Sequence, residues 1–177
     1  MEFRDVLLRR QSCRSYQKTP VEARALGTVL EAGNAAPVGR RLYENLQLTV
    51  VRDPALLADI TENFQKRTGE TQRDPLYGAP CLILVSVREQ QGQLRPVDVA
   101  NAACVVENMH LQATELGLGS CYLWGFIETL DQSLELLYRL KLQDGFWPVS
   151  ALALGYPTEA AQLRTPTVSR IHTELID

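Results

Sequence analysis

VDVANAACVVENMHLQATELGLGSCYLW, residues 97–124, holds a helix, its stop and a strand in one run. Val99, Ala102, Val106, Met109 or His110, and Ala113 recur at the spacing of one helical face, so residues 97–116 are predicted as the longest helix. Gly117 stands where that helix should end, because glycine readily adopts the left-handed conformation that closes a last turn. Residues 120–123 then read as a short strand. A long helix running straight into a strand points to a mixed architecture of helices and strands.

Outward from this stretch the alternation continues. Phe3, Val6 and Leu7 mark an opening helix that stops near Arg10. A second helix carries Val21, Ala25, Leu26, Val29 and Leu30 and ends at Gly33. Its predicted start has Thr19 as N-cap, Pro20 at the first helical position and Glu22 closing a capping box. Residues 46–51 alternate as a strand, and Asp53-Pro54 caps a helix bearing Leu56, Leu57, Ile60 and Phe64. Residues 65–76 are polar and are expected to be mobile. Residues 80–87 form an unbroken apolar run, the mark of a strand buried on both faces. Leu130, Leu134, Leu137 and Leu140 mark a further helix, and residues 147–154 the last core strand. After Gly155-Tyr156-Pro157 core signals fade, so the tail is expected to cross the surface or a partner subunit. No internal repeat divides the 177 residues, and one domain spanning 1–177 is expected.

Charge and composition narrow the function. Eighteen basic and 21 acidic residues leave a net charge of −3, without the basic excess that nucleic acid or an anionic membrane surface requires. The apolar runs 81–85 and 151–154 are strand-sized and too short for a bilayer. Met1-Glu2-Phe3-Arg4-Asp5 lacks a signal-peptide pattern, so a cytoplasmic location is the expectation. Cys13, Cys81, Cys104 and Cys121 form no C-x-x-C, and His110 and His172 are the two histidines. No metal cluster follows, and the thiols are expected free and at least half-buried.

No G-x-G-x-x-G, Walker loop, G-x-S-x-G or H-E-x-x-H occurs. Two isolated histidines are poor material for activating a nucleophile, so an enzyme built on this chain would borrow its reactive group from a cofactor. Three segments could hold one. Arg9-Arg10-Gln11-Ser12-Cys13-Arg14-Ser15-Tyr16 sets guanidinium groups and hydroxyls close together, which suits phosphate; a solvated basic helix end has the same composition. Gly117-Leu118-Gly119-Ser120-Cys121-Tyr122-Leu123-Trp124-Gly125-Phe126 puts glycines on both sides of an apolar run. Such a backbone can lie against a flat ligand, or simply form a helix stop, a strand and a turn. Gly155-Tyr156-Pro157 with Arg164 beyond it is, alone, a turn and a surface arginine.

In this order and at these separations the segments resemble the FMN-dependent nitroreductase family over nearly the whole chain. Arg10 to Tyr16 resembles its R-x-S-x-R-x-F/Y, and Ala32-Gly33-Asn34-Ala35-Ala36-Pro37 its A-x-x-A-P-S. Asp98 through Asn108 to Gly119 resembles its D-x-A-x-x-x-x-x-N-x-x-L-x-A-x-x-x-G-L-G helix. Gly155-Tyr156-Pro157, Arg164-Thr165-Pro166 and His172 resemble its C-terminal G-Y-P…R-x-P…H.

The resemblance implies an α+β nitroreductase-like fold: a central, mostly antiparallel sheet flanked by helices, with the C-terminal tail crossing to the partner of a homodimer. It implies FMN at the subunit interface, NADH or NADPH as donor, and a small nitroaromatic or quinone-like acceptor reduced by a ping-pong mechanism. Arg10 and Arg164, with Gln11 and Ser12, would hold the phosphate, and Arg14 would approach the pyrimidine edge, where a cation stabilises the charge that grows on reduction. Pro37, Val38 and Gly39 would come from the partner, while Tyr122, Leu123, Trp124 and Gly125 would line the other side, near the hydride-accepting N5. No side chain need act as acid or base, so no catalytic residue is assigned. A non-catalytic flavin carrier or redox sensor would use the same binding residues. The sequence departs from the family after Pro37, where Val38-Gly39-Arg40-Arg41 replaces the usual polar contacts and Arg40 or Arg41 could substitute. Thr71 and Asp74 stand where some members supply Asn and Lys.

Overall fold

The computed structural model describes residues 1–167 and 169–176. Its sheet is built around β2 (Cys81–Arg88), of which only the last residue is exposed. Leu82 and Leu84 enter one core, and Cys81, Ile83, Val85 and Val87 the other. Both faces are therefore apolar, which explains a strand without polar alternation. β2 pairs antiparallel with β1 (Leu46–Val51) on one side and with β4 (Phe146–Gly155) on the other. β3 (Gly119–Leu123) pairs antiparallel with β4, giving the order β1-β2-β4-β3.

Helices cover both faces. α3 (Pro54–Thr68), α5 (Ile127–Asp131) and α6 (Leu134–Arg139) pack over one with Ile60, Phe64, Leu130 and Leu136. α2 (Ala23–Asn34) and α4 (Pro96–Glu115) pack over the other with Val29, Ala102, Val106 and Met109. α1 (Phe3–Arg9) lies against α4. This is the expected α+β arrangement of an antiparallel sheet between helices. Among the described residues no helix is long and apolar enough to cross a membrane.

Four expectations are corrected. α2 begins at Ala23, with Glu22 at its N-cap and no side-chain capping bond. Val21 is instead buried in the core, and its carbonyl accepts a bond from Arg52 (3.2 Å), so tertiary contacts hold the entry extended. Residues 65–76 are not a mobile connection. α3 runs to Thr68, and Gly69 closes it in the left-handed region at φ 76°. The Asp74 carboxylate then accepts from the Thr61 hydroxyl (3.1 Å) and from the Leu76 and Gly78 N–H groups (2.8 and 2.6 Å), and Leu76 is buried. The stripe from Leu130 to Leu140 is two short helices, α5 and α6. Arg67 holds the break by donating to the Gln132 carbonyl (2.6 Å) and to its Oε1 (3.1 Å). Among the thiols, Cys104 is exposed on α4, whereas Cys81 and Cys121 are buried and Cys13 half-buried.

Candidate functional site

The site grows from a place where two glycines face each other. Gly119 and Gly155 are register partners across β3 and β4, and the segment after α1 crosses their end of the sheet. A Cβ on Gly119 would lie 2.6 Å from Cys13 Sγ; on Gly155 it would meet Pro80 Cδ at 2.8 Å and Tyr16 Cδ1 at 2.9 Å. Glycine is needed here for close approach. Ser12 forms a parallel bridge with Ser120, and the Cys13 N–H donates to the Ser120 carbonyl (2.9 Å). Tyr16 bridges Pro157, its hydroxyl donates to the Cys13 carbonyl (2.9 Å), and the Gln17 N–H donates to the Tyr156 carbonyl (2.8 Å). An apparently loose segment is thus fixed along a sheet edge.

The C-terminal tail secures the other side. The Thr158 N–H donates to the Ser15 carbonyl (3.2 Å), and Arg9 donates to the Ala161 carbonyl (3.3 Å). Arg164 caps α1: its Nε and Nη2 donate to the carbonyls of Leu8 (3.0 Å) and Leu7 (2.7 Å), groups a helix end leaves unpaired. Through Arg164, then, the tail runs along its own chain. Burial, and then the charges of Arg10 and Arg170, lower the Arg164 pKa. Arg10 has a weak counter-ion in Glu107 (3.8 Å). Beside it, burial and then the Arg10 charge hold the His110 imidazole down to about 4, although the Gln11 and Ser120 backbones favour its charged form. His110 is therefore a neutral core residue at pH 7.

Gln11, Ser12 and Arg14 line a cleft of about 490 Å³ with Gly117, Gly119 and residues 157–161. Arg14 also lines a smaller cavity of about 130 Å³ with Tyr122, Leu123, Trp124 and Gly125. Arg14 is common to both, so the two spaces adjoin at this side chain. Burial raises the Cys121 thiol in the smaller cavity, against the opposing Ser12 hydroxyl and the Arg14 and Arg10 charges, so it is no thiolate nucleophile.

Three groups of expected residues are not brought together. Arg10 and Arg164, the expected phosphate ligands, line neither space, and two Arg164 donors are used in capping α1. Pro37, Val38 and Gly39 line neither space; the Gly39 N–H donates to Asn101 Oδ1 (3.0 Å) on the first half of α4. Arg40 and Arg41 follow in left-handed conformations (φ 57° and 58°) and also line neither. Sequence reading missed Phe64, Arg73 and Tyr77, which line the smaller cavity. Arg14 lies 5.8 Å from the Tyr77 ring centroid and Arg73 lies 5.4 Å from that of Phe64. The available signal was the Asp74-Pro75-Leu76-Tyr77-Gly78 run, whose Asp, Pro and Gly spell a fixed turn.

This geometry has close counterparts. The chain matches a nitroreductase with bound FMN from Bacteroides fragilis over the whole of both chains, at 28% identity and a TM-score of 0.83. It matches a nitroreductase with bound FMN from Desulfitobacterium hafniense over 99% of this chain and 100% of that one, at 20% identity and a TM-score of 0.84. The YfhC protein of Bacillus subtilis, which bears a provisional NAD(P)H nitroreductase name, is 24% identical over 95% of this chain and 91% of its own length. Residues 7–156 match the profile described as the Nitroreductase family, and this chain belongs to that family.

Proposed function

We propose that this chain is an FMN-dependent oxidoreductase that takes electrons from NADH or NADPH and passes them to a small acceptor. The observation that carries the reading is the cleft lined by Gln11, Ser12 and Arg14, which meets at Arg14 a second space lined by Tyr122, Leu123, Trp124 and Gly125. The Arg9 and Arg14 guanidinium groups in the cleft suit a phosphate-bearing ligand, and the adjoining Tyr122, Leu123, Trp124 and Gly125 suit a flat ring, so the donor set fits FMN. Bound FMN would supply the electron-transfer chemistry itself, with donor and acceptor using one space in turn, as a ping-pong scheme requires. The protein's part is to bind and orient. Arg10 and Arg164 neutralise the phosphate, with Gln11 and Ser12 adding hydrogen bonds. Arg14 would present positive charge to the pyrimidine edge of bound FMN, and the backbone near Trp124 would offer an N–H to its N5. Pro37, Val38 and Gly39 lie away from their own chain's cleft, which supports a homodimer whose sites draw these residues from the second subunit. Residues 1–177 then act as one FMN-binding domain.

The purified protein should carry a flavin absorption spectrum or acquire one with added FMN. NADH or NADPH without oxygen should bleach it, and a nitroaromatic or quinone should restore it. A protein that binds FMN yet is bleached by neither nucleotide would be a carrier or sensor instead.

A further inference from the structure

Within the proposed flavin site, the smaller cavity also carries a cation to which FMN binding gives no role. Arg73 lines it with Arg14, Tyr77 and Trp124. Among the described residues no acidic side chain lines this space, in a chain whose net charge is −3. The carboxylate that bonds Arg73 is Glu70, at one Nη (2.8 Å) and outside the lining. The Arg73 guanidinium lies 5.4 Å from the Phe64 ring centroid, and its bond to Glu70 uses one Nη. Trp124, 61% exposed, offers an uncovered aromatic face at the same mouth. Asp74 takes the Leu76 and Gly78 N–H groups and so fixes the short turn that follows Arg73.

We propose that Arg73 selects the acceptor, and that the preferred class is a planar aromatic carrying a carboxylate or sulfonate. The ring stacks at Trp124, and the anionic group pairs with Arg73 in competition with Glu70. This rests on the flavin reading and deepens it by naming the substrate class. A matched pair of acceptors tests it: 4-nitrobenzoate, anionic, and 4-nitrobenzamide, neutral and of nearly the same shape. In either, the nitro group takes two electrons and two protons to give nitroso and water, with one NADH or NADPH oxidised per acceptor.

With the full-length, FMN-loaded protein at low salt, kcat/KM should favour 4-nitrobenzoate by about tenfold, the worth of one charge-assisted contact, although the amide is the more electron-poor ring. Arg73→Gln should abolish that ratio and Arg73→Lys should retain part of it. Benzoate and benzamide, which are not reduced, give a second readout: benzoate should perturb the flavin spectrum at lower concentration, and Arg73→Gln should remove the difference. FMN affinity should be the same in Arg73→Gln as in the wild type. Equal kcat/KM values for the two acceptors in the wild type would overturn the proposal. So would a preference that survives Arg73→Gln, or an Arg73→Gln effect confined to NADPH against NADH. A wild-type protein with no affinity for FMN would overturn the flavin reading, and this proposal with it.

Discussion

Arg10 is pulled two ways, toward Glu107 at 3.8 Å and away from the like charge of Arg164. A bound phosphate would relieve that repulsion. Charge-assisted bonds contribute about 1.5–3 kcal/mol each, so Arg10→Ala should weaken FMN binding roughly ten- to a hundredfold. Arg24→Ala, outside the cleft on α2, should do little; equal losses at both positions would remove the phosphate assignment. His110 and Asp131 give a second expectation, in acid stability. His110 titrates at about 4 when folded against 6.5 ordinarily, so the unfolded chain takes up its proton first. Its contribution is complete above pH 6.5 and is lost as pH falls toward 4, by about 2–4 kcal/mol. Burial, and then the Glu128 charge, raise Asp131 from 3.8 to about 6, so there the folded chain takes up the proton first. That contribution has the opposite sign: it is present below pH 3.8 and lost as pH rises to about 6. The two offset each other in the wild type. Asp131→Asn should therefore show a steeper fall in urea midpoint between pH 7 and 4.5 than the wild type, and His110→Gln a shallower one; parallel slopes in all three would count against both.

At the scale of elements, the glycine pair makes the clearest demand. The atoms that a Gly155 Cβ would strike belong to the Pro80 and Tyr16 rings, which are packed and cannot swing away. Gly155→Ala should cost about 1–3 kcal/mol, read as a lower urea midpoint. Gly33→Ala meets Met109 Cγ at 2.9 Å, but methionine is flexible and alanine favours the α2 helix, so its cost should be near zero. The sequence was readable where one element buries one pattern. β1 and α3 start where alternation and the Asp53-Pro54 cap place them, and Asp53 does accept from the Ala55 N–H (3.0 Å). It misled where distant groups decide. Val21 leaves the helix because Arg52 and the core claim it, and the α5–α6 break is held by Arg67 from α3. The leucine stripe is periodic through that break, so periodicity could not show it. Gln11, Ser12 and Arg14, which share the cleft, stand together in one short motif. Arg73 and Tyr77 were not, since their place depends on an Asp74 turn whose bonds reach back to Thr61.

For the whole molecule, the tail matters because it closes the basic corner. Ending the chain after Pro157 removes the Thr158 bond to Ser15 and the Arg164 caps on Leu7 and Leu8. A ligand at a hundred times its dissociation constant adds about 2.7 kcal/mol of stability. FMN should therefore raise the melting temperature of the full chain and leave the shortened one nearly unchanged; an equal rise in both would show that the tail plays no part in binding. The same bonds also impose an order in time. Leu8, Arg9 and Ser15 leave the ribosome well before their partners Arg164, Ala161 and Thr158, which follow roughly 150 residues later. At about 5–20 residues per second, the N-terminal segment waits roughly 10–30 seconds for them. Until residue 164 has cleared the exit tunnel, no nascent chain can close this corner. Cofactor capture then separates chains translated past that point from interrupted ones, which stay without ligand protection and open to proteases.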